Sequence, residues 1–545
     1  MKQQNTFSVS GQIVDLRKEK IFPGTVTVSE GKILSVEPDE NTNSQFILPG
    51  LIDAHVHIES SMLIPSEFAR LAVPHGTVAT VSDPHEIANV LGIEGIEYMI
   101  ENGRKVPFHF YFGASSCVPA TGFETAGATL GVDAMENLLR RPEIKYMAEM
   151  MNYPGVIYKD TEVMAKLEVA KKYGKPIDGH APGLMGVDVK NYIEAGISTD
   201  HECFTMEEAL EKIQYGMKIQ IREGSAAKNF DALIGLMETH PGKVLFCSDD
   251  KHPDDLVRGH INLMVKRAIA SGYHPMKVLQ SCILNPIDHY KLDVGLLQKD
   301  DSADFIVIDN LDDFNVLQTY IKGILVAENG KTLISSVSAE MPNHFVTDKI
   351  DASCLSIKAS GNQIRIIEAL EGQLITNTIV DTPLVKNGEI CSDIERDYLK
   401  MVVINRYEKT PPAIAFIKNF GLKSGAISST VAHDSHNIIA VGVSDEAIAK
   451  AVNLLVEVKG GIAVVDKSEH VLPLPVAGLM TNKDGYQAAQ DYETIDALVK
   501  KSGCTLNAPF MTLSFMALLV IPQLKLSDKG LFDGKTFSFT TLEVA

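Results

Sequence analysis

The stretch Ile47–Met62, ILPGLIDAHVHIESSM, places two histidines one residue apart at the end of a short apolar run. A run of that length, bounded by Pro49-Gly50 before it and polar residues after it, reads as a buried strand. Side chains alternate faces along a strand, so His55 and His57 share one face. Neutral imidazoles are costly to bury without partners and are good ligands for divalent metals. The pair therefore needs either a hydrogen-bond network or an ion, and the rest of the chain decides which.

Outward from this stretch one rhythm repeats: a short apolar run, a polar residue or Gly at its end, then a helical-looking segment. The runs are GLIDAHVH, TVATVSDPHE, FHFYFGASS, IKYMAEMMN, KPIDGHAPG, GISTDHE, MKIQIREGS and KVLFCSDD. Strands alternating with helices favour a parallel sheet, and eight units in roughly 240 residues match a closed (β/α)8 barrel. An open doubly wound sheet would carry a Gly-rich nucleotide turn after its first strand, and no such turn is present.

Residues 1–50 are different: β-prone pieces such as FSVSGQIVDL and GTVTVSEGKILSVE alternate with Gly-containing turns, as hairpins do. The same texture returns in DDSADFIVIDNL and TYIKGILVAENGKTLIS. The expected architecture is α/β. A split small β-sandwich domain (1–50 plus 290–340) is interrupted by a catalytic barrel (51–289), and an additional C-terminal α/β domain follows (345–545). In that last region the apolar runs MVVINRY, NIIAVGVS and GIAVVD surround a helical segment, Asp445 to Val456.

Composition narrows the function. At 545 residues, with 45% hydrophobic and 22% charged residues, the chain is globular and long enough for several domains. Its formal net charge of -20 argues against nucleic acid or an anionic membrane as partner. The strongest apolar run, Phe515 to Ile521, is too short to span a bilayer. The opening MKQQNTFSVSGQIVD lacks the apolar core of a secretory signal, so a cytoplasmic location is expected. Seven cysteines without a C-x-x-C pair read as reduced thiols, and packing is expected for Cys203 and Cys247 although both adjoin polar motifs.

In a barrel, the side chains that meet substrate come from the C-terminal ends of the strands. Those ends carry His55 and His57, His85 and Glu86, Glu149, His180, His201 and Glu202, and Asp249 and Asp250. Any one of them alone more often caps a turn than binds a ligand. Four histidines and two carboxylates at one end of one barrel, however, are costly to desolvate unless something charged binds them. A mixed His and carboxylate set suits Zn, Mn or Fe rather than Ca or Mg. Near the C-terminus, VAHDSHNI groups His433, Asp434 and His436 in a loop that either reaches the barrel mouth, holds a further metal or only stabilises itself.

PGLIDAHVHIESS, GHAPGL, TDHE, CSDD and the split β module together resemble the amidohydrolase superfamily. Its pattern is His-x-His on strand one, a bridging Lys or Glu on strand four, His on strands five and six, and Asp on strand eight. Within it, DPHEIANVLG, AEMMNYPGV, GHAPGL, DHECFT, SDDKHPDDL and HDSHNI resemble the bacterial adenine deaminase family over nearly the whole chain. The resemblance implies hydrolytic deamination of adenine to hypoxanthine and ammonia, in purine salvage, by a metal-activated hydroxide. It implies two divalent ions, manganese ahead of iron or zinc, held by His55, His57, Glu149, His180, His201 and Asp249. Asp249 is expected to take the water's proton. Glu149 bridges the ions and is also a candidate for facing N1 of the purine. His85, Glu86 and Glu202 are expected to bind the purine edge or move the second proton, with orientation of the ligands as the alternative role.

Two departures matter. Many relatives use a carbamylated Lys on strand four, whereas here the strand ends in Glu149, and Lys145, four residues back, is expected deeper in the barrel. The single-metal deaminases carry a Glu shortly after the strand-five His, and GHAPGL has none. The rival readings are a cyclic amidase of the hydantoinase or dihydroorotase kind, which usually needs the strand-four Lys, and a non-catalytic purine or metal sensor. A small-molecule purine partner and a homo-oligomer are expected.

Overall fold

A computed structural model describes residues 6–544. The first segment forms β1 (Thr6–Asp15), β2 (Lys20–Ser29), β3 (Lys32–Pro38) and β4 (Phe46–Pro49). The barrel strands are β5 (Leu51–Val56), β6 (Thr77–Ser82), β7 (His109–Phe112), β8 (Met147–Met150), β9 (Ile177–Gly179), β10 (Thr199–Asp200), β11 (Lys218–Arg222) and β12 (Val244–Cys247). After the barrel come β13 (Phe305–Ile308), β14 (Val316–Ile321), β15 (Ile324–Glu328) and β16 (Lys331–Thr332).

The eight barrel strands pair in parallel in chain order. Single bridges complete the ring: Ala114 with Met147, Ile177 with Ile197, and Val56 with Asp249. Every residue of β5, β6, β8 and β12 is buried, as expected where helices cover a parallel sheet from outside and side chains fill it from within.

The two outer segments join because β13 pairs antiparallel with β4, which in turn lies parallel to β1. The result is one eight-stranded path, β16-β15-β14-β13-β4-β1-β2-β3. It curls until Gly31 of the β2–β3 turn touches Gly323 of the β14–β15 turn, and Ile13, Val26 and Val28 share a core with Phe305, Val307 and Tyr320. The alternating burial of β2 suits a sheet with one face toward this core. Gly50 links this module to the barrel; a Cβ there would sit 2.3 Å from the Val78 side chain, so only glycine permits the close approach.

The C-terminal region is built on a sheet running from Thr376–Asp381 at one edge to Glu469–Pro473 at the other. The helix Asp445–Val458 begins at Ser444, whose hydroxyl accepts a hydrogen bond from the Ala447 N–H. Strand alternation serves two cores. Val402, Ile404, Ala440 and Ala463 pack under that helix with Ile448, Val452 and Leu455. Their neighbours Met401, Val403, Ile439 and Ile462 belong to the core that also contains the barrel. The C-terminal sheet is thus bonded to the barrel by shared apolar packing.

Candidate active site

The ring-closing bridge also assembles the site. The Asp249 N–H donates to the His55 carbonyl at 2.9 Å, and the His57 N–H donates to the Asp249 carbonyl at 3.3 Å. Asp249 sits at φ 55°, a left-handed conformation unusual for aspartate and costly unless its surroundings impose it. The first and last strand ends are thereby laced together, and the His55 and His57 Nε2 atoms lie 3.2 Å apart. Asp249 Oδ1 is 3.5 Å from the first and 3.2 Å from the second.

Glu149 stands across from them. Its Oε1 is 3.2 Å from His57 Nε2 and 3.9 Å from His55 Nε2, while its Oε2 is 2.8 Å from His180 Nδ1 and 3.4 Å from His201 Nε2. One carboxylate thus faces two histidine pairs with different oxygens. All six residues expected as ligands converge, and each is buried.

Three further groups surround this centre. The His85 Nδ1–H donates to Asp83 Oδ2 at 2.9 Å, which turns its Nε2 toward Glu86 Oε1, 3.3 Å away, and Asp434 Oδ1, 3.6 Å away. Both oxygens of Glu86 are taken by imidazoles from the C-terminal loop, His433 Nδ1 and His436 Nε2. Both oxygens of Glu202 are taken by Arg222, whose Nη1 also reaches Asp249 Oδ2 at 2.6 Å, and Glu202 Oε1 lies 3.4 Å from His201 Nε2. Of the three side chains expected to meet substrate, Glu86 and Glu202 have both oxygens engaged, while His85 Nε2 has only the longer contacts to Glu86 and Asp434. Met151, Leu374, Phe515 and Leu518 form the apolar wall of the cleft.

The electrostatics demand positive charge. Burial alone would raise the Glu149 and Asp249 carboxyls, yet His180 and His201 hold Glu149, and Arg222 and His201 hold Asp249, well below the usual carboxylate range. Conversely, burial opposes charge on His180, but Glu202 and Glu149 push it up to about 9. Donors about 2.0–2.2 Å from one ion lie roughly 3–3.5 Å from one another, which is the spacing measured here. The ring nitrogens His180 Nε2 and His201 Nδ1 are buried without a hydrogen-bond partner. The donor set fits divalent cations, and among the described residues His55, His57 and Asp249, and His55, Glu149 and His201, form groups able to hold one.

Lys145 is a correction. It is not deeper in the barrel but partly exposed, with Nζ 2.6 Å from Asp293 Oδ2, because it precedes β8 and lies outside the ring of strands. Cys203 donates to Asp200 Oδ2 at 3.1 Å and Cys247 is buried in the apolar core, as packing roles require. Arg222, Asp83 and the apolar wall were not foreseen. Arg222 ends the run MKIQIREGS at the same place in the rhythm where the ligands end theirs, and that position is the one signal that could have found it.

Comparisons with known proteins place the chain. Residues 46–326 match the amidohydrolase family model, and residues 373–538 match the adenine deaminase C-terminal domain. The chain is 57% identical over 534 residues to the adenine deaminase of Sulfurovum sp. (strain NBC37-1), covering 96% of this chain and 98% of that protein. It is 54% identical over 536 residues to that of Salinibacter ruber, covering 98% of each. Over the full length of both chains it is 47% identical to that of Parabacteroides distasonis. A split β module around a closed parallel barrel, a glutamate-centred donor set and full-length relatives agree: the chain belongs to the adenine deaminase family within the amidohydrolases.

Proposed function

We propose that the protein hydrolyses adenine to hypoxanthine and ammonia. The observation that carries this reading is the Glu149-centred donor set, met in a chain whose full-length relatives are adenine deaminases.

In this reading His55, His57, Glu149, His180, His201 and Asp249 would hold two divalent ions. Manganese is expected ahead of iron or zinc. Such ions supply Lewis acidity, lowering the pKa of water from about 15.7 toward neutrality. Asp249 takes the proton of the attacking water: its Oδ1 faces the His55–His57 pair while Arg222 fixes its Oδ2. His85, oriented by Asp83, moves a proton to the purine or to the departing amine. Glu149 is a second candidate for the proton at N1. Glu202 is held in place by Arg222 beside His201, and Glu86 anchors the C-terminal loop. The planar base lies against Phe515 and Leu374, where an apolar wall accepts a ring face.

The chain is further read as a cytoplasmic homo-oligomer acting in purine salvage, with a small-molecule partner and no nucleic acid. No helix among the described residues is long and apolar enough to cross a membrane. Its division into 1–50 with 290–340, 51–289 and 345–545 is part of the same reading. A cyclic amidase is disfavoured because Lys145 lies outside the site.

The test is ammonia release by the manganese-loaded protein from adenine, other purines and cyclic amides. Adenine should be the preferred substrate; preferential opening of a cyclic amide, with adenine untouched, would overturn the assignment.

A further inference from the structure

Beside β11 and β12, outside the catalytic cleft, an open pocket of about 830 Å³ is lined by Lys228, Lys251, Arg258 and Arg267 on its polar side and by Ile261 and Met264 on its apolar side. Glu223 and Asp255 also line it. The charges are unevenly matched. Arg258 is paired with Asp254, Asp255 and Glu493, and Arg267 with Glu223 and Asp231. Lys228 and Lys251 have no carboxylate oxygen within 4 Å among the described residues, although Asp255, Asp53 and Glu223 act on Lys251 from farther away and Lys228 repels it.

Lys251 is the informative side chain, because it is only 9% exposed. Its stem is buried while the side chain lines the pocket, and an ammonium held there without a close ion pair, with a second ammonium nearby, is costly. On a chain with a formal net charge of -20, two adjacent unpaired lysines facing one pocket are out of keeping with the rest of the surface. An anion bound in the pocket would compensate both. The apolar wall along the helix Ile261–Ala270 suits an organic body attached to it.

We propose that this pocket binds a small phosphorylated molecule, its phosphate between Lys228 and Lys251 and its organic part against the exposed side chain of Leu263. The walls adjoin the catalytic strand ends. Asp53 accepts from His260 Nε2 at 2.8 Å, from the Ser248 N–H at 3.0 Å and from the His55 N–H at 3.3 Å, and both His260 and Ser248 line the pocket. The pocket thus shares two lining residues with the network that holds His55.

Isothermal titration of the metal-loaded full-length protein with inorganic phosphate, uridine 5′-monophosphate and uridine tests this; a pyrimidine body keeps the probe from mimicking adenine. Uridine monophosphate should bind with a Kd of about 1 mM or tighter, and uridine should bind at least tenfold more weakly. Inorganic phosphate binding as tightly as the nucleotide would support the anion site with free phosphate as its occupant. Lys251→Met and Lys228→Ala should each weaken binding about tenfold or more, as loss of a charge-assisted contact does, with metal content unchanged. Lys228 is exposed, so its variant keeps the test valid should Lys251→Met fail to fold. Affinity unchanged in Lys228→Ala, absence of binding by either phosphorylated probe, or equal affinity for uridine would overturn the proposal.

Discussion

The barrel mouth and the loop that closes over it reach the same cleft by different routes. At the mouth, six donors spread from His55 to Asp249 meet because each ends a strand of one ring, and adjacent strands lie about 4.8 Å apart. The loop carrying His433, Asp434 and His436 belongs to a separate sheet and meets the barrel chiefly through Glu86, with Asp434 Oδ1 3.6 Å from His85 Nε2 and His433 stacked on Phe515 at 4.4 Å. Secondary-structure period suffices to bring the first set together, whereas the second depends on how two units pack. The first set should therefore carry the chemistry, and the second should fix the chamber in which it occurs.

The sharpest break of that comparison is Asp249→Ala. It should lower adenine turnover by about 10²–10⁴-fold and reduce metal content, with the circular dichroism spectrum retained; near-normal activity in a metal-assayed sample would remove Asp249 from the mechanism. Arg222→Met comes next. It leaves Glu202 and Asp249 as buried carboxylates without their guanidinium and should cost roughly 3–5 kcal/mol in urea unfolding; a loss under 1 kcal/mol would mean that the histidines alone compensate both.

His433→Ala addresses the second region directly, and is cleaner than truncation near residue 340 because Met401, Val403 and Ile439 share the barrel core and would be left exposed. It should lower kcat/KM by about 10–100-fold, the usual effect of removing a group that orients others, with both metal ions still bound; loss of the ions would promote the loop to ligand. The smallest effect belongs to Lys145→Ala. A partly exposed ion pair is worth about 1 kcal/mol at most, so turnover should stay within about twofold, and collapse of activity would reinstate a lysine-bridged centre.

Much of this was legible in residue order. The eight runs, the His-x-His at His55 and His57 and the interrupted β texture follow from local patterning, because hydrophobic period and strand-end position are properties of neighbouring residues. Glu149 was legible by its place at the end of the fourth run. Lys145 was misplaced because distance along the chain was read as depth in the barrel, while β8 begins only at Met147. The engagement of Glu86 by His433 and His436 spans 347 and 350 residues, and no local pattern encodes such a contact.

Sequence by itself determined the strand-and-helix rhythm, the ligand types and the family, since each depends on residue chemistry and spacing within a few tens of positions. Only the tertiary structure decided that Glu149 faces both histidine pairs, that Arg222 clamps Glu202 and Asp249, that the C-terminal loop docks on Glu86 at the mouth, and that Lys228 and Lys251 share a pocket. Those outcomes depend on which buried charges find partners across the fold, and burial is a property of the packed chain.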